Sequence, residues 1–230
     1  MGKLFLVPTP VGNLRDITLR ALDVLGSSDI ILAEDTRQSG ILLKHYNIKA
    51  RVWSHHKFNE HGSVESIAQM ISEGKIVSLI SDAGTPGISD PGYLLVRKCL
   101  EKGLEVESLP GPTALIPALV DSGLPCDRFC FEGFLPQKKG KTKKISLLAD
   151  ETRTMVFYES PYRLAGTLLM MSEVFGPERE ASVSREISKI HAETVRGTLA
   201  ELHQLFTERQ PKGEIVLVVA GATALKKGKV

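Results

Sequence analysis

The chain reads as an α/β protein of two domains, with a parallel sheet in its first half and a mixed α+β second half. Three observations predict this. Short apolar runs alternate with longer amphipathic stretches over the first hundred or so residues, the pattern of strands exchanged with crossover helices. After Pro110-Gly111-Pro112 the strands come closer together. Hydrophobic residues at 42% and charged residues at 24% give enough apolar material for a packed core in each half.

In chain order, the first strands are expected at Leu4–Val7, Ile30–Ala33, Ile76–Ile80 and Glu105–Leu109. Amphipathic helices fall between them at Ile17–Leu25, Ser39–Tyr46, Val64–Ile71 and Tyr93–Leu100. The second half places strands at Phe129–Glu132, Met155–Tyr158, Ala181–Arg185, Ala192–Arg196 and Ile215–Val219, with a hairpin across Ser188-Lys189. Proline and glycine at 110–112 punctuate the chain most strongly, so the expected domains are 1–112 and 113–230. Leu225–Val230 reads as a frayed tail.

The formal net charge of +2, from 29 Lys and Arg against 27 Asp and Glu, neither demands nor excludes a polyanionic partner. Three cysteines, Cys99, Cys126 and Cys130, make no disulfide framework and point to a reducing compartment. No apolar run approaches the roughly 18 residues of a membrane span. A cytoplasmic protein with no membrane partner is the expectation.

Ligands of open parallel sheets bind beyond the carboxyl ends of the strands. Three turn-rich segments leave strands at that end: Pro8–Asn13, Ser81–Gly92 and Pro110–Ala114. Glycine and proline suit loops that meet a ligand with main-chain groups, although each segment alone is also ordinary turn punctuation. Neither the G-x-G-x-x-G dinucleotide fingerprint nor the phosphate loop G-x-x-x-x-G-K-[ST] is present. A cleft with little phosphate chemistry suits a nucleoside-like ligand such as S-adenosylmethionine, a choice the residues leave open.

Glu34, Asp35 and Arg37 stand at a strand end on the presumed ligand side. One acid can polarise an acceptor hydroxyl while Arg37 grips a phosphate, or the three can form an internal salt bridge that fixes the loop. His55, His56, Asn59, Glu60 and His61 crowd a segment just after a possible strand, in no zinc-like spacing, so no metal is expected. Lys138, Lys139, Lys141, Lys143 and Lys144 read as a loop without intervening acids. They are either a phosphate clamp for RNA or a solvated charge run.

Val7–Leu14 (VPTPVGNL), Ala33–Arg37 (AEDTR), Ser81–Tyr93 (SDAGTPGISDPGY) and Pro110–Ala114 (PGPTA) resemble the tetrapyrrole methylase superfamily. They are closest to its branch acting on small-subunit ribosomal RNA. Asp127-Arg128-Phe129, Gly133–Pro136, Phe157–Ser160, Arg185-Glu186 and Lys212-Gly213-Glu214 carry the resemblance through the second half. It implies a class III methyltransferase fold, a homodimer, and S-adenosylmethionine bound in a cleft between two domains. The implied reaction is 2′-O-methylation of a cytidine ribose in the decoding region, on free RNA or the assembled small subunit.

Carried over by position, the resemblance implies donor contacts from Pro10, Val11 and Gly12, from Ser81, Asp82, Ala83 and Gly84, and from Pro112, Thr113 and Ala114. Phe157, Tyr158 and Glu159 with Gly213, Glu214 and Ile215 are implied to close the pocket. Asn59-Glu60 also resembles the RNA branch, which makes Asn59 an implied RNA contact beside the lysines. A tetrapyrrole methylase and an RNA binder that has lost its donor are the rival readings. The lysines and Ala33–Arg37 speak against the first, and the intact glycine and proline loops against the second.

Overall fold

The computed structural model describes residues 2–137 and 140–222; Lys138, Lys139 and the expected frayed tail lie outside them. The chain divides into two compact units, parted between Thr113 and Ala114.

The first unit is built on five parallel strands: β1 (Lys3–Leu6), β2 (Ile30–Ala33), β3 (Arg51–Ser54), β4 (Ile76–Ile80) and β5 (Glu105–Ser108), in the order β3-β2-β4-β1-β5. Helices α1 (Leu19–Ser27), α2 (Thr36–His45), α3 (Glu60–Ser72) and α4 (Tyr93–Glu101) connect them. The central strands are mostly apolar because both of their faces are covered, with Lys3 and Ser78 as the exceptions. Leu4, Leu6, Ile30, Leu32, Val77 and Leu79 pack with α3 and α4. Val7, Ile31, Ala33 and Ile80 pack with α1 and α2 on the opposite face. This period-2 division lets a short apolar run serve two cores at once.

The second unit carries β6 (Phe129–Phe134), β7 (Thr154–Glu159), β8 (Glu180–Arg185), β9 (Glu193–Thr198) and β10 (Ile215–Val219), in the order β6-β7-β10-β8-β9. Only β6 and β7 run parallel; the remaining neighbours are antiparallel, so the sheet is mixed. Along β10, Ile215, Leu217 and Val219 face a core shared with α6 (Lys141–Leu147), α7 (Leu164–Phe175) and α8 (Leu199–Glu208). Val216 and Val218 face α5 (Leu115–Ser122). The β8–β9 hairpin turns where expected, with Glu186 and Ser188 at positive φ.

Caps set several helix starts. The Thr18 side chain accepts the Ala21 N–H at the head of α1, and Thr198 with Glu201 forms a reciprocal capping box on α8. The expected lysine loop needs correction, because Lys141, Lys143 and Lys144 lie in the first turn of α6, entered through Gly140 at φ +113°.

Candidate functional site

All five parallel strands end on one edge of the first unit, and the three glycine- and proline-rich loops meet there. The Thr9 and Gly84 backbones exchange both N–H···O bonds, each 2.9 Å, joining the loop after β1 to the loop after β4. Thr9 Oγ1 also donates to the Ser81 carbonyl at 3.0 Å, and Thr85 Oγ1 donates to the Pro112 carbonyl at 3.2 Å. The buried Ser81 hydroxyl folds back onto the Gly84 carbonyl at 3.2 Å. Loops distant in sequence thus become one backbone-lined ledge that contains Pro10, Val11, Gly12, Ser81, Asp82, Ala83, Gly84, Pro112 and Thr113. None of its three segments carries a lysine or arginine.

Two glycines are required here for different reasons. Gly84 sits at φ +82°, which side chains rarely adopt, while a Cβ there would find ordinary space 3.6 Å from Val11 Cγ1. Gly111 has the opposite problem, since a Cβ would lie 2.7 Å from Pro8 Cβ. In both cases the structure supplies a reason internal to the ledge: dihedral freedom at Gly84 and loop-to-loop packing at Gly111.

Carboxylates ring the ledge. Glu34 leaves β2, Asp82 leaves β4, and Asp90 follows in the same long loop. Burial pushes the Glu34 carboxyl above its ordinary value, the Asp82 charge adds to this, and His56 opposes it. Asp90 is pushed from 3.8 to about 7, by burial first and then by the charges of Glu34 and Asp82, against a hydrogen bond from Ser81. The sequence reading passed over Asp90; its signal was an acid inside a segment already assigned to the ledge, visible only once the loop folds back toward Glu34.

The Glu34-Asp35-Arg37 group separates into two parts. Asp35 caps α2 by accepting the Arg37 N–H at 2.8 Å, and its carboxylate grips the Arg37 guanidinium through Nε at 3.1 Å and Nη2 at 2.7 Å. Those Arg37 bonds hold the Asp35 carboxyl down at about 2. Asp35 and Arg37 therefore form the internal pair that was the alternative reading. Glu34 remains as the half-buried acid facing the ledge.

His55 and Asn59 belong to the turn after β3. The backbone of His55 extends the β2–β3 pairing by donating to the Ala33 carbonyl at 2.8 Å. Its fully buried ring meets Ser63 Oγ at 3.1 Å through Nδ1, and burial holds its pKa below the ordinary value against the pull of Glu60. Asn59 is committed locally: Oδ1 accepts the His56 N–H at 2.8 Å and Nδ2 donates to the Ser54 carbonyl at 3.0 Å. Asn59, the implied RNA contact, thus clamps this turn.

In the second unit, β7–β10 pairing sets Ile215 opposite Glu159, Val216 opposite Tyr158 and Leu217 opposite Phe157. The implied contact residues are thus neighbours, but Phe157 and Ile215 point into the core. Tyr158 lies against Phe131 and Phe134, with ring centroids 5.0 and 5.5 Å away. Gly213 sits at φ +88°, a conformation side chains rarely adopt, with the Glu186 carboxylate packed against its Cα. Glu186 also accepts the Glu214 N–H at 3.2 Å and pairs with Lys189 at 2.8 Å.

Glu159 is the buried hub of this unit, with a side chain only 2% exposed. It accepts from the Ser160 N–H at 2.8 Å, Arg163 Nε at 2.8 Å and Thr167 Oγ1 at 2.6 Å. Lys141 Nζ donates to Thr167 Oγ1 at 2.6 Å and lies 3.5 Å from the carboxylate. Burial alone would raise Glu159; bonds from Thr167, Ser160 and Arg163 and the Lys141 charge together hold it below the ordinary value. The three described lysines of the expected phosphate clamp have different settings. Lys141 is an internal counter-ion, Lys144 pairs with Glu132 at 2.5 Å, and Lys143 alone of the three is exposed.

A five-stranded parallel sheet with a backbone-lined ledge at its carboxyl edge, followed by a mixed five-stranded unit, is the architecture of the class III methyltransferases. The solved structure of uroporphyrin-III-C-methyltransferase from Thermus thermophilus matches at a TM-score of 0.65, 22% identity and 96% of each chain. That of the methyltransferase CobJ matches at 0.70 and 20% identity, over 99% of this chain and 98% of that one. The tetrapyrrole (corrin/porphyrin) methylases match residues 3–203, and the chain belongs to that family. Within it, the chain is 49% identical over 224 residues to a Synechocystis protein named ribosomal RNA small subunit methyltransferase I, covering 97% of this chain and 80% of the relative. It is 46% identical over 221 residues to a Thermotoga maritima protein of the same name, covering 96% and 99%.

Proposed function

We propose that this chain transfers a methyl group from S-adenosylmethionine to the ribose 2′-oxygen of a cytidine in the decoding region of small-subunit ribosomal RNA. One observation carries the reading beside the family relationship: a ledge free of lysine and arginine, stitched by backbone bonds and ringed by Glu34, Asp82 and Asp90. A phosphate-bearing cofactor would meet like charge there. A sulfonium cation with an uncharged ribose suits both the acids and the main-chain groups.

Pro10, Val11, Gly12, Ser81, Asp82, Ala83, Gly84, Pro112, Thr113 and Ala114 would hold the donor. Tyr158, Gly213 and Glu214 would add contacts from the second unit, with Phe157, Glu159 and Ile215 supporting them from within it. S-adenosylmethionine supplies an activated methyl group and departs as a neutral thioether.

The remaining work falls to the protein, which must orient the acceptor hydroxyl and take its proton. Alignment of the two reactants supplies several kcal/mol of the barrier. Glu34 is the proposed base, because a carboxyl raised by burial and by the Asp82 charge is a better proton acceptor than a free one. Asp35 is a poorer candidate, since Arg37 already occupies both its oxygens. Lys143 is the proposed phosphate contact on α6. The reading is completed by a cytoplasmic homodimer acting on free RNA or the assembled small subunit.

Two measurements test the proposal. Calorimetry should show S-adenosylmethionine binding, and mass spectrometry of ribosomal RNA from cells lacking the protein should show one ribose methyl group missing. Glu34→Gln should keep donor affinity and lose about 10²-fold or more in turnover. Unchanged ribosomal RNA in the deletion strain overturns the function, whereas normal turnover by Glu34→Gln overturns only the assignment of the base.

A further inference from the structure

Beyond the ledge, the turn between β3 and α3 is unusually well tied for an exposed segment. His56 N–H is held by Asn59 Oδ1 at 2.8 Å, and Phe58 N–H by His56 Nδ1 at 3.2 Å. Asn59 Nδ2 reaches back to the Ser54 carbonyl at 3.0 Å, and the Asn59 and Glu60 N–H groups both return to the His56 carbonyl, at 2.9 and 3.0 Å. These bonds fix the backbone on both sides of Phe58, yet the Phe58 side chain is directed outward with 93% of the residue exposed. Its one ring neighbour among the described residues is His56, edge-on with centroids 6.0 Å apart, which leaves ring surface free.

The position of this turn matters more than its exposure. Ala33 pairs with Ser54, and the His55 N–H continues that ladder onto the Ala33 carbonyl. Glu34 and His55-His56 therefore leave neighbouring strands side by side. The turn that presents this ring follows the edge strand next to the one that carries Glu34, and its His56 lies near enough to act on the Glu34 carboxyl. Lys57, exposed and adjacent, adds a cation next to the ring. An aromatic face with a neighbouring ammonium is the chemistry that grips an unstacked nucleotide, by base stacking and phosphate attraction together.

We propose that Phe58 is a positioning residue that stacks on a base of the RNA at or next to the acceptor nucleotide, holding the ribose hydroxyl at Glu34. This rests on the proposed function, and it assigns substrate recognition to a residue outside the donor ledge. RNA whose target nucleotide is already unpaired suits such a site, because the stack offered by Phe58 replaces one the nucleotide has left.

Steady-state methylation of small-subunit ribosomal RNA by the full chain tests it, with Phe58→Ala, Phe58→Leu and Phe58→Trp beside the wild type. Losing a base–aromatic stack should raise KM for RNA about 5- to 150-fold in the alanine variant. Leucine, apolar but without a π face, should fail to rescue, and tryptophan should restore KM. With RNA saturating, kcat should stay near wild type, as should donor affinity and melting temperature. An alanine variant with wild-type KM overturns the stacking role, as does rescue by leucine equal to that by tryptophan. A KM defect accompanied by equal loss of donor affinity and thermal stability also overturns it, since that marks a structural residue. If the wild type methylates no ribosomal RNA, the proposed function itself fails and the stacking role falls with it.

Discussion

Asp90→Asn is the sharpest probe of the acidic ring. In the folded protein the Asp90 carboxyl titrates at about 7 instead of 3.8, so between these values the native state holds a proton that the unfolded chain has released. The folded value lies above the unfolded one. Its stabilisation is therefore complete below about 3.8 and is lost as pH rises through about 7. Each pH unit in that window is worth about 1.4 kcal/mol, or ~4 kcal/mol across all of it. Asp90 is only half-buried and feels the charge of Glu34, so solvent screening and coupling reduce the loss to roughly 1–3 kcal/mol between pH 5 and pH 8. Asparagine keeps the shape, can still accept from Ser81, and never ionises. The variant should thus gain on the wild type by that amount over the same range. Urea unfolding followed through Trp53, the single tryptophan and a residue of the same unit, reads it directly. A stability difference between the two proteins that does not change with pH would refute the reasoning, because a buried, repelled carboxylate cannot be pH-indifferent.

Gly84→Val and Gly111→Val should each abolish S-adenosylmethionine binding by calorimetry, the first by straining a φ of +82° and the second by forcing the Pro8 loop away; far-ultraviolet circular dichroism should show both still folded. Lys141→Ser should destabilise the second unit by about 3 kcal/mol, since it removes a partner from a buried carboxylate, whereas Lys143→Ser should leave the melting temperature unchanged. In RNA binding, Lys143→Ser should lower the log–log salt slope by roughly 0.7–0.9, the loss of one phosphate contact; an unchanged slope removes α6 from the interface. Arg37→Ala should keep donor affinity and most of its turnover, because the guanidinium is spent on Asp35 at a surface where its own side chain is 89% exposed.

Much of the fold could be read from local pattern because each central strand is buried on both faces. Ile30–Ala33, Ile76–Ile80 and Ile215–Val219 fall at the expected bounds, since an apolar run that ends in a turn has little freedom in register. β3 was visible only as a possible strand. It is a polar edge strand, Arg51-Val52-Trp53-Ser54, with one neighbour and three exposed residues, so neither alternation nor hydrophobicity marks it. The ledge loops were legible for a related reason, as glycine and proline reveal backbone geometry locally. The lysine run was not, because its meaning depends on Glu132 and Glu159, which arrive from other strands. A string of like charges in sequence says nothing about the acids that folding brings to it.

The same distinction decides which acid can act. Glu34 and Asp35 are adjacent and chemically alike, and composition cannot choose between them. Strand geometry can. The residue that continues β2 past Ala33 is carried toward Asp82 and Asp90, where burial and repulsion keep its carboxyl ready to hold a proton. The next residue turns the chain into α2, and there its carboxylate does better by capping the helix and binding Arg37. Burial and repulsion thus make one position readier to take a proton, while Arg37 holds its neighbour ionised. A base for a ribose hydroxyl must gain from accepting a proton, and that is the ground on which Glu34 is the proposed base. Asp35→Asn, which loses the Arg37 pair but can still cap α2, should cost some stability and little turnover; a loss of turnover matching that of Glu34→Gln would reverse the assignment.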